Sequence, residues 1–419
     1  MRVHLPVLLS LLLLPASGAR ADGLVVYHAE IGPAEAVAVE ADAQRAALWF
    51  RDGAWELTIQ PSFPRGAGAA AWLVPFPVVP EVSGASAGFL DALETLSAPV
   101  FVPYCVEEAG GGRSFFGCGG AAGGGGDART GPAASGVTLW AAGTTGALEW
   151  VVLEAPGAAA LLDWLSTEGY LAPPAVEEAP ELLDGQVVFA AKLTGAMDPD
   201  EPLPPMTFRL PGVAYGDVTY PLRLTAAVAP EEGTELLLWV ILPQDAAPLV
   251  PRSVRWLPHT GPGDTTLAQW EADVEVLRAA LPPAGGLVLE YAGRPGIGPL
   301  FLRAPLVAPG GWTEVLPADA GLELPEAWPG EVEELGQDGA VVLRLRGRLT
   351  AAAMAGDLGF QPAAEGEIPA LDAIHWHEVP CSAIPGAPAA ADAGPLPRRG
   401  AGLALLALLG GLLLLRRVS

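Results

Sequence analysis

The sequence predicts an α+β fold. It is β-rich, with mainly antiparallel sheets in two lobes, a few short helices and a C-terminal membrane helix. Three observations predict it. Alternating and β-branched apolar segments outnumber segments with helical periodicity. The connections between them look like hairpins rather than crossover helices. An apolar run without a charge extends from Gly400 to Leu415, followed by Arg416 and Arg417. The body from Asp22 to about Pro380 is too long for one small core, so two lobes are expected.

In chain order, Leu24 to Ile31 and Ala46 to Phe50 read as strands. Asp52-Gly53 is a hairpin turn signal, and Trp55 to Ile59 is the returning strand. Ala70 to Val74 is a buried strand ended by the prolines of VPFPVVP. Phe89, Leu90, Leu93 and Leu96 share one helical face, with Ser86 as N-cap and Pro99 as stop. Val137 to Trp140, Ala147 to Leu153 and Val187 to Leu193 are strands, and Ala158 to Leu165 is a helix with Leu161, Leu162 and Leu165 inward. Thr207 to Leu210, Leu222 to Val228, Leu236 to Leu242, Leu287 to Tyr291 and Val341 to Leu345 continue the strand pattern. Asp264 or Thr265 caps a helix that keeps Leu267, Trp270, Val274, Leu277 and Leu281 on one face, and Thr350 to Met354 is a short helix.

Punctuation divides the chain into a signal peptide (1–21), a first lobe (22–200) and a second lobe (201–380), joined at the acidic, proline-rich MDPDEPLPP. An Ala/Pro-rich tether (381–399) and a transmembrane or sorting segment (400–419) follow. Residues 109–135, rich in glycine and alanine, form a surface loop in the first lobe. The leader has Arg2, an apolar run from Leu5 to Leu14 and the A-x-A site Ala19-Arg20-Ala21, so cleavage falls between Ala21 and Asp22. The Gly400–Leu415 run of sixteen residues reaches about 24 Å as a helix, short of a hydrocarbon core of about 30 Å, and flanking arginines can snorkel to close the gap.

The 419 residues carry a formal net charge of −26 and are 51% hydrophobic, which gives apolar surface enough for a core and excludes a disordered polyanion. With 22 basic against 48 acidic residues and one lysine, Lys192, the chain has no lysine cluster and an excess of acid, so nucleic acid is not an expected partner. Asparagine is absent, which removes N-glycosylation acceptors. Of three cysteines, Cys105 and Cys118 flank the glycine-rich loop and are expected to form a structural disulfide, leaving Cys381 alone.

Two constellations bear on chemistry. Gly84-Ala85-Ser86-Ala87-Gly88 fits the G-x-S-x-G elbow, which would make Ser86 a nucleophile; a small-residue loop before a helix is the plainer reading. His375-Trp376-His377 puts two imidazoles on one side of an extended strand, where they could bind one metal ion. No cofactor is expected: there is no P-loop and no dinucleotide fingerprint.

Several segments carry a resemblance. AAWLVPFPVVPEV and the following FLDALETLSAPVF, a glycine-rich loop with Cys118, GVTLWAAGTTGALEWVVLEA, LLDWLSTEGYLAPP, VVFAAKL around Lys192, YPLRLTAAV with LLLWVIL, and VVLRLRGRLTAAAM occur in that order. Together they resemble an uncharacterised secreted bacterial family, domain of unknown function 2330. The resemblance implies export and one folded body, and it supplies no catalytic residue or ligand to carry over. Members often open with a cysteine-glycine motif, where this chain has Asp22-Gly23-Leu24. The tail resembles bacterial C-terminal sorting signals, which implies either a retained span or a segment cut by a sorting protease.

The reading is therefore an exported envelope protein, anchored in a membrane or sorted to the surface by its C-terminal segment, with a non-catalytic structural or binding ectodomain of unknown partner. The alternative is a secreted hydrolase that uses Ser86 or a metal at His375 and His377.

Overall fold

The computed structural model describes residues 24–28, 44–60, 70–104, 136–171, 186–193, 203–260, 266–294, 306–308, 311–313, 328–337, 339–368 and 374–378. Of these, the described residues of 24–102 and 136–377 belong to one compact unit, and residues 103, 104 and 378 fall to a second. Both large sheets belong to the first.

At the Asp52-Gly53 turn both residues have positive φ, 50° and 70°, as a two-residue turn matched to strand twist requires. It joins β2 (Gln44–Arg51) to β3 (Ala54–Ile59) and sets Trp49 opposite Glu56. These strands lie in an eight-stranded sheet of order β15-β16-β19-β13-β2-β3-β11-β5. The others are β5 (Glu81–Gly84), β11 (Met206–Leu210), β13 (Thr234–Leu242), β15 (Trp256–Pro258), β16 (Gly285–Gly293) and β19 (Val341–Leu349). Pairing is antiparallel except between β13 and β2 and between β15 and β16.

A six-stranded antiparallel sheet has the order β7-β8-β10-β4-β1-β9. Its members are β1 (Leu24–His28), β4 (Ala70–Phe76), β7 (Thr138–Thr145), β8 (Leu148–Glu154), β9 (Tyr170–Leu171) and β10 (Val187–Leu193). Pro75 belongs to β4, a central strand. Among the described residues β1 pairs no further than Leu73, and at Pro75 the neighbouring strand is β10. A small sheet joins β12 (Thr219–Tyr220), β20 (Leu358–Pro362) and β14 (Leu249–Pro251), and β17 (Leu306–Ala308) pairs with β18 (Gly311–Thr313). The remaining strands are β6 (Val100–Tyr104) and β21 (Ile374–Glu378).

The two large sheets share one core. Trp72, Phe76 and Phe189 from the six-stranded sheet meet Phe208 from β11, with ring centroids 6.1, 4.8 and 4.8 Å away. Leu48, Leu57, Leu238, Leu289 and Leu345 extend the same core across the eight-stranded sheet. The outer face of the six-stranded sheet packs on α2 (Ala158–Thr167) through Leu161 and Leu165. The outer face of the eight-stranded sheet packs on α1 (Phe89–Ser97) and on α5 (Gly330–Gln337) through Leu93, Val332 and Leu335. The result is four layers: helix, sheet, sheet, helix. Strand β13 is apolar at consecutive positions because it is covered on both faces.

Several expectations are corrected. The predicted strand Leu222–Val228 contains instead the short helix α3 (Arg223–Ala226). Asp357, far along the chain, accepts the Leu222 and Arg223 amides at 3.1 and 3.3 Å, so a distant carboxylate caps the helix and no local signal marks it. The Thr350–Met354 helix is a single turn, closed by the Ala353 and Met354 amides on the Thr350 carbonyl. Helix α4 (Leu267–Ala280) is capped by Thr266, whose hydroxyl accepts from the Gln269 amide at 3.3 Å, and not by Asp264 or Thr265. Helix α1 has Gly88 at its N-cap with φ 80°, a conformation suited to glycine, so Ser86 is not the cap. The eight-stranded sheet draws β2, β3 and β5 from before residue 200 and five strands from after it.

The expected C-terminal membrane helix lies outside the described residues. Among the described residues no helix is long and apolar enough to cross a membrane.

Candidate functional site

Alternation on β3 sends Trp55, Leu57 and Ile59 into the core and leaves Glu56 and Thr58 on the opposite face. On β11, Met206, Phe208 and Leu210 face the core, and Thr207 and Arg209 stand beside Thr58 and Glu56. Around these residues lies a cleft of about 290 Å³ at the β5 end of the sheet. Trp49 and Phe89 form its apolar wall, stacked at 6.5 Å, and Glu81, Ser83 and Glu331 line its other sides.

Glu56 organises the cleft. Its Oε2 accepts from Arg51 Nε and Nη2, both at 2.8 Å, and its Oε1 accepts from Arg209 Nη1 at 2.8 Å. Its side chain is 10% exposed, so these charge-assisted bonds are only partly screened. The Arg51 guanidinium also lies 4.2 Å from the Trp49 ring centroid and pairs with Glu334 of α5. The Ser86 amide donates to Glu331 Oε1 at 2.9 Å, a second tie between α5 and this face.

A further chain of charges crosses the same sheet. Arg45 pairs with Asp91 at 2.7 Å and Glu94 at 3.4 Å on α1, and Glu94 lies 3.7 Å from Arg344, which meets Glu290 at 3.2 Å. Burial pushes the Glu290 carboxyl above its ordinary value against the pull of Arg344, and burial likewise lowers Arg344. Glu235 receives Arg346 at 2.9 Å, Arg348 at 3.4 Å and Arg278 at 3.6 Å. Burial acts to raise the Glu235 carboxyl, but the bond from Arg346 and the attraction of Arg346 and Arg278 outweigh it and hold the carboxyl low.

The structure places Ser86 exposed on the turn between β5 and α1, at the rim of the cleft. The preceding strand is the sheet's edge and is largely exposed, unlike the buried strand that precedes a nucleophile elbow. His375 and His377 lie two apart in β21. Among the described residues no group of three or more His, Cys, Asp and Glu is placed to hold a metal ion. Cys105, Cys118, the cleavage site Ala21–Asp22 and the anchor residues Gly400, Leu415, Arg416 and Arg417 lie outside the described residues.

Residues 29–248 match the model of a family described as an uncharacterized protein conserved in bacteria, domain of unknown function 2330. The chain belongs to this family. The matched span includes the sheet residues of the cleft, from Trp49 to Arg209, and ends before Glu331 and Glu334 of α5. No curated protein and no solved structure matches this member of domain of unknown function 2330.

Sequence reading missed the cleft because its charged residues are scattered over 283 positions between Arg51 and Glu334. The usable signal was local: Glu56 and Thr58 alternate with large apolar residues, which marks an outward polar face but not its partners.

Proposed function

We propose that this family member is an exported envelope protein, membrane-anchored or surface-sorted through its C-terminal segment, whose ectodomain binds a partner and does no chemistry. The leader with its Ala21–Asp22 cleavage site and the Gly400–Leu415 run with Arg416 and Arg417 support export and anchoring. The observation that carries the binding half is the setting of Ser86. It follows an exposed edge strand, its amide is held by Glu331, and among the described residues the cleft it borders is lined by no histidine or cysteine. The acid nearest the cleft floor, Glu56, has each oxygen engaged by an arginine.

The competing reading is a secreted hydrolase using Ser86 or a metal at His375 and His377. Labelling of the purified full-length chain with a fluorophosphonate, beside its Ser86→Ala variant, decides the first form. Metal analysis of the same sample decides the second. The proposal expects no Ser86-dependent label and no stoichiometric metal. Either signal would replace binding with catalysis.

A further inference from the structure

Two rows of side chains run across β3, β11 and β5 on the cleft face and stop at the edge of the sheet. In one, Thr58, Thr207 and Ser83 are register partners, and the two threonine hydroxyls share a hydrogen bond of 2.8 Å. In the other, Glu56, Arg209 and Glu81 are register partners, with the acid and base already paired at 2.8 Å between Glu56 and Arg209. Directly opposed hydroxyls and opposite charges favour the pairing of neighbouring strands. Both rows end on exposed residues, Ser83 and Glu81, and among the described residues β5 has no neighbour beyond it.

We infer that the free edge of β5 is a strand-addition site for an extended, basic segment of a partner protein. An arginine or lysine of that segment stands opposite Glu81 and continues the alternation of charge. A serine or threonine two residues along stands opposite Ser83 and continues the hydroxyl row. Backbone hydrogen bonds along the edge supply affinity, and the alternate side chains supply selection. No proline interrupts Glu81–Gly84, so nothing in its own covalent structure bars pairing. The net charge of −26 attracts a cationic segment and repels an acidic one. This inference deepens the binding reading by naming the partner's chemistry at that face.

The test is fluorescence anisotropy of the full-length chain with a labelled pentapeptide of threonine and valine in alternation around a central arginine. Saturable binding is expected, weakened at least tenfold by E81K. A glutamate-centred peptide should show the reverse preference, binding E81K better than the native chain. A peptide of the same charge with prolines in place of the valines should not bind. No saturable binding, indifference to E81K, or equal binding of the proline peptide overturns the inference and leaves Glu81 as a charge that guards the edge. The serine-probe and metal measurements are unaffected by that failure, so the two readings fail separately.

Discussion

Glu290 and Arg344 face each other across β16 and β19 with Oε2 3.2 Å from Nε, and only 1% and 3% of their side chains are exposed. A pair so deeply buried repays its desolvation only when both members are present. Arg344→Met alone should destabilise the fold by about 3–5 kcal/mol, whereas the double variant Glu290→Leu/Arg344→Met should recover most of that loss. Urea unfolding of the two single variants and the double variant gives the coupling directly.

Phe208 joins the two large sheets, touching Trp72, Phe76 and Phe189. Phe208→Ala should cost about 3–5 kcal/mol, the range for a large aromatic removed from a closed core. Chemical denaturation followed by tryptophan fluorescence measures it.

Glu56 and Glu81 stand in one cross-strand row but in different settings, one at 8% exposure and one open to solvent. Glu56→Gln leaves two guanidiniums facing a neutral amide and should cost about 1–3 kcal/mol. Glu81→Gln should change stability by less than about 0.5 kcal/mol. The pair of midpoints, measured side by side, separates a structural acid from one available to a partner.

His259 is buried against Trp270, at 5.3 Å between rings, and burial lowers its pKa below the ordinary 6.5 while Asp273 opposes the shift. The unfolded chain therefore takes up a proton at higher pH than the folded one. The stability linked to His259 is complete above about pH 6.5 and declines as the pH falls below it. Glu235, held low by its arginines, adds a second loss below its ordinary value of 4.5, and Glu290, pushed up by burial, acts in the opposite sense. On thermal melting from pH 8 to pH 5, the midpoint of His259→Gln should rise relative to that of the native chain as the pH falls.

Much of the β architecture was legible in the chain because it is written in local alternation. The Asp52-Gly53 turn, the strands around Trp55, Trp72 and Phe189, and the inward faces of α1 and α2 all follow from neighbours within a few residues. The element at Leu222 was misread because the carboxylate that caps it belongs to Asp357. Helix α5 escaped notice because GEVEELGQ offers two apolar residues, Val332 and Leu335, that acquire meaning only against Trp49 and Phe89. The interleaving of early and late strands in one sheet was hidden for the same reason: the parallel pairing of β13 with β2 joins positions about two hundred residues apart. The cleft shares that origin, since Glu56 reads as an ordinary surface acid until Arg209 is placed beside it.

The proposed role is that of a folded binding portion held outside the cytoplasm by its C-terminal run. Fractionation of cells producing the full chain, beside a form lacking Gly400–Ser419, tests it most directly. The account predicts a mature N-terminus at Asp22, membrane association of the full chain, and release of the shortened form into the soluble exported fraction. An uncleaved chain recovered from the cytoplasm, or membrane association unchanged by the deletion, would contradict it.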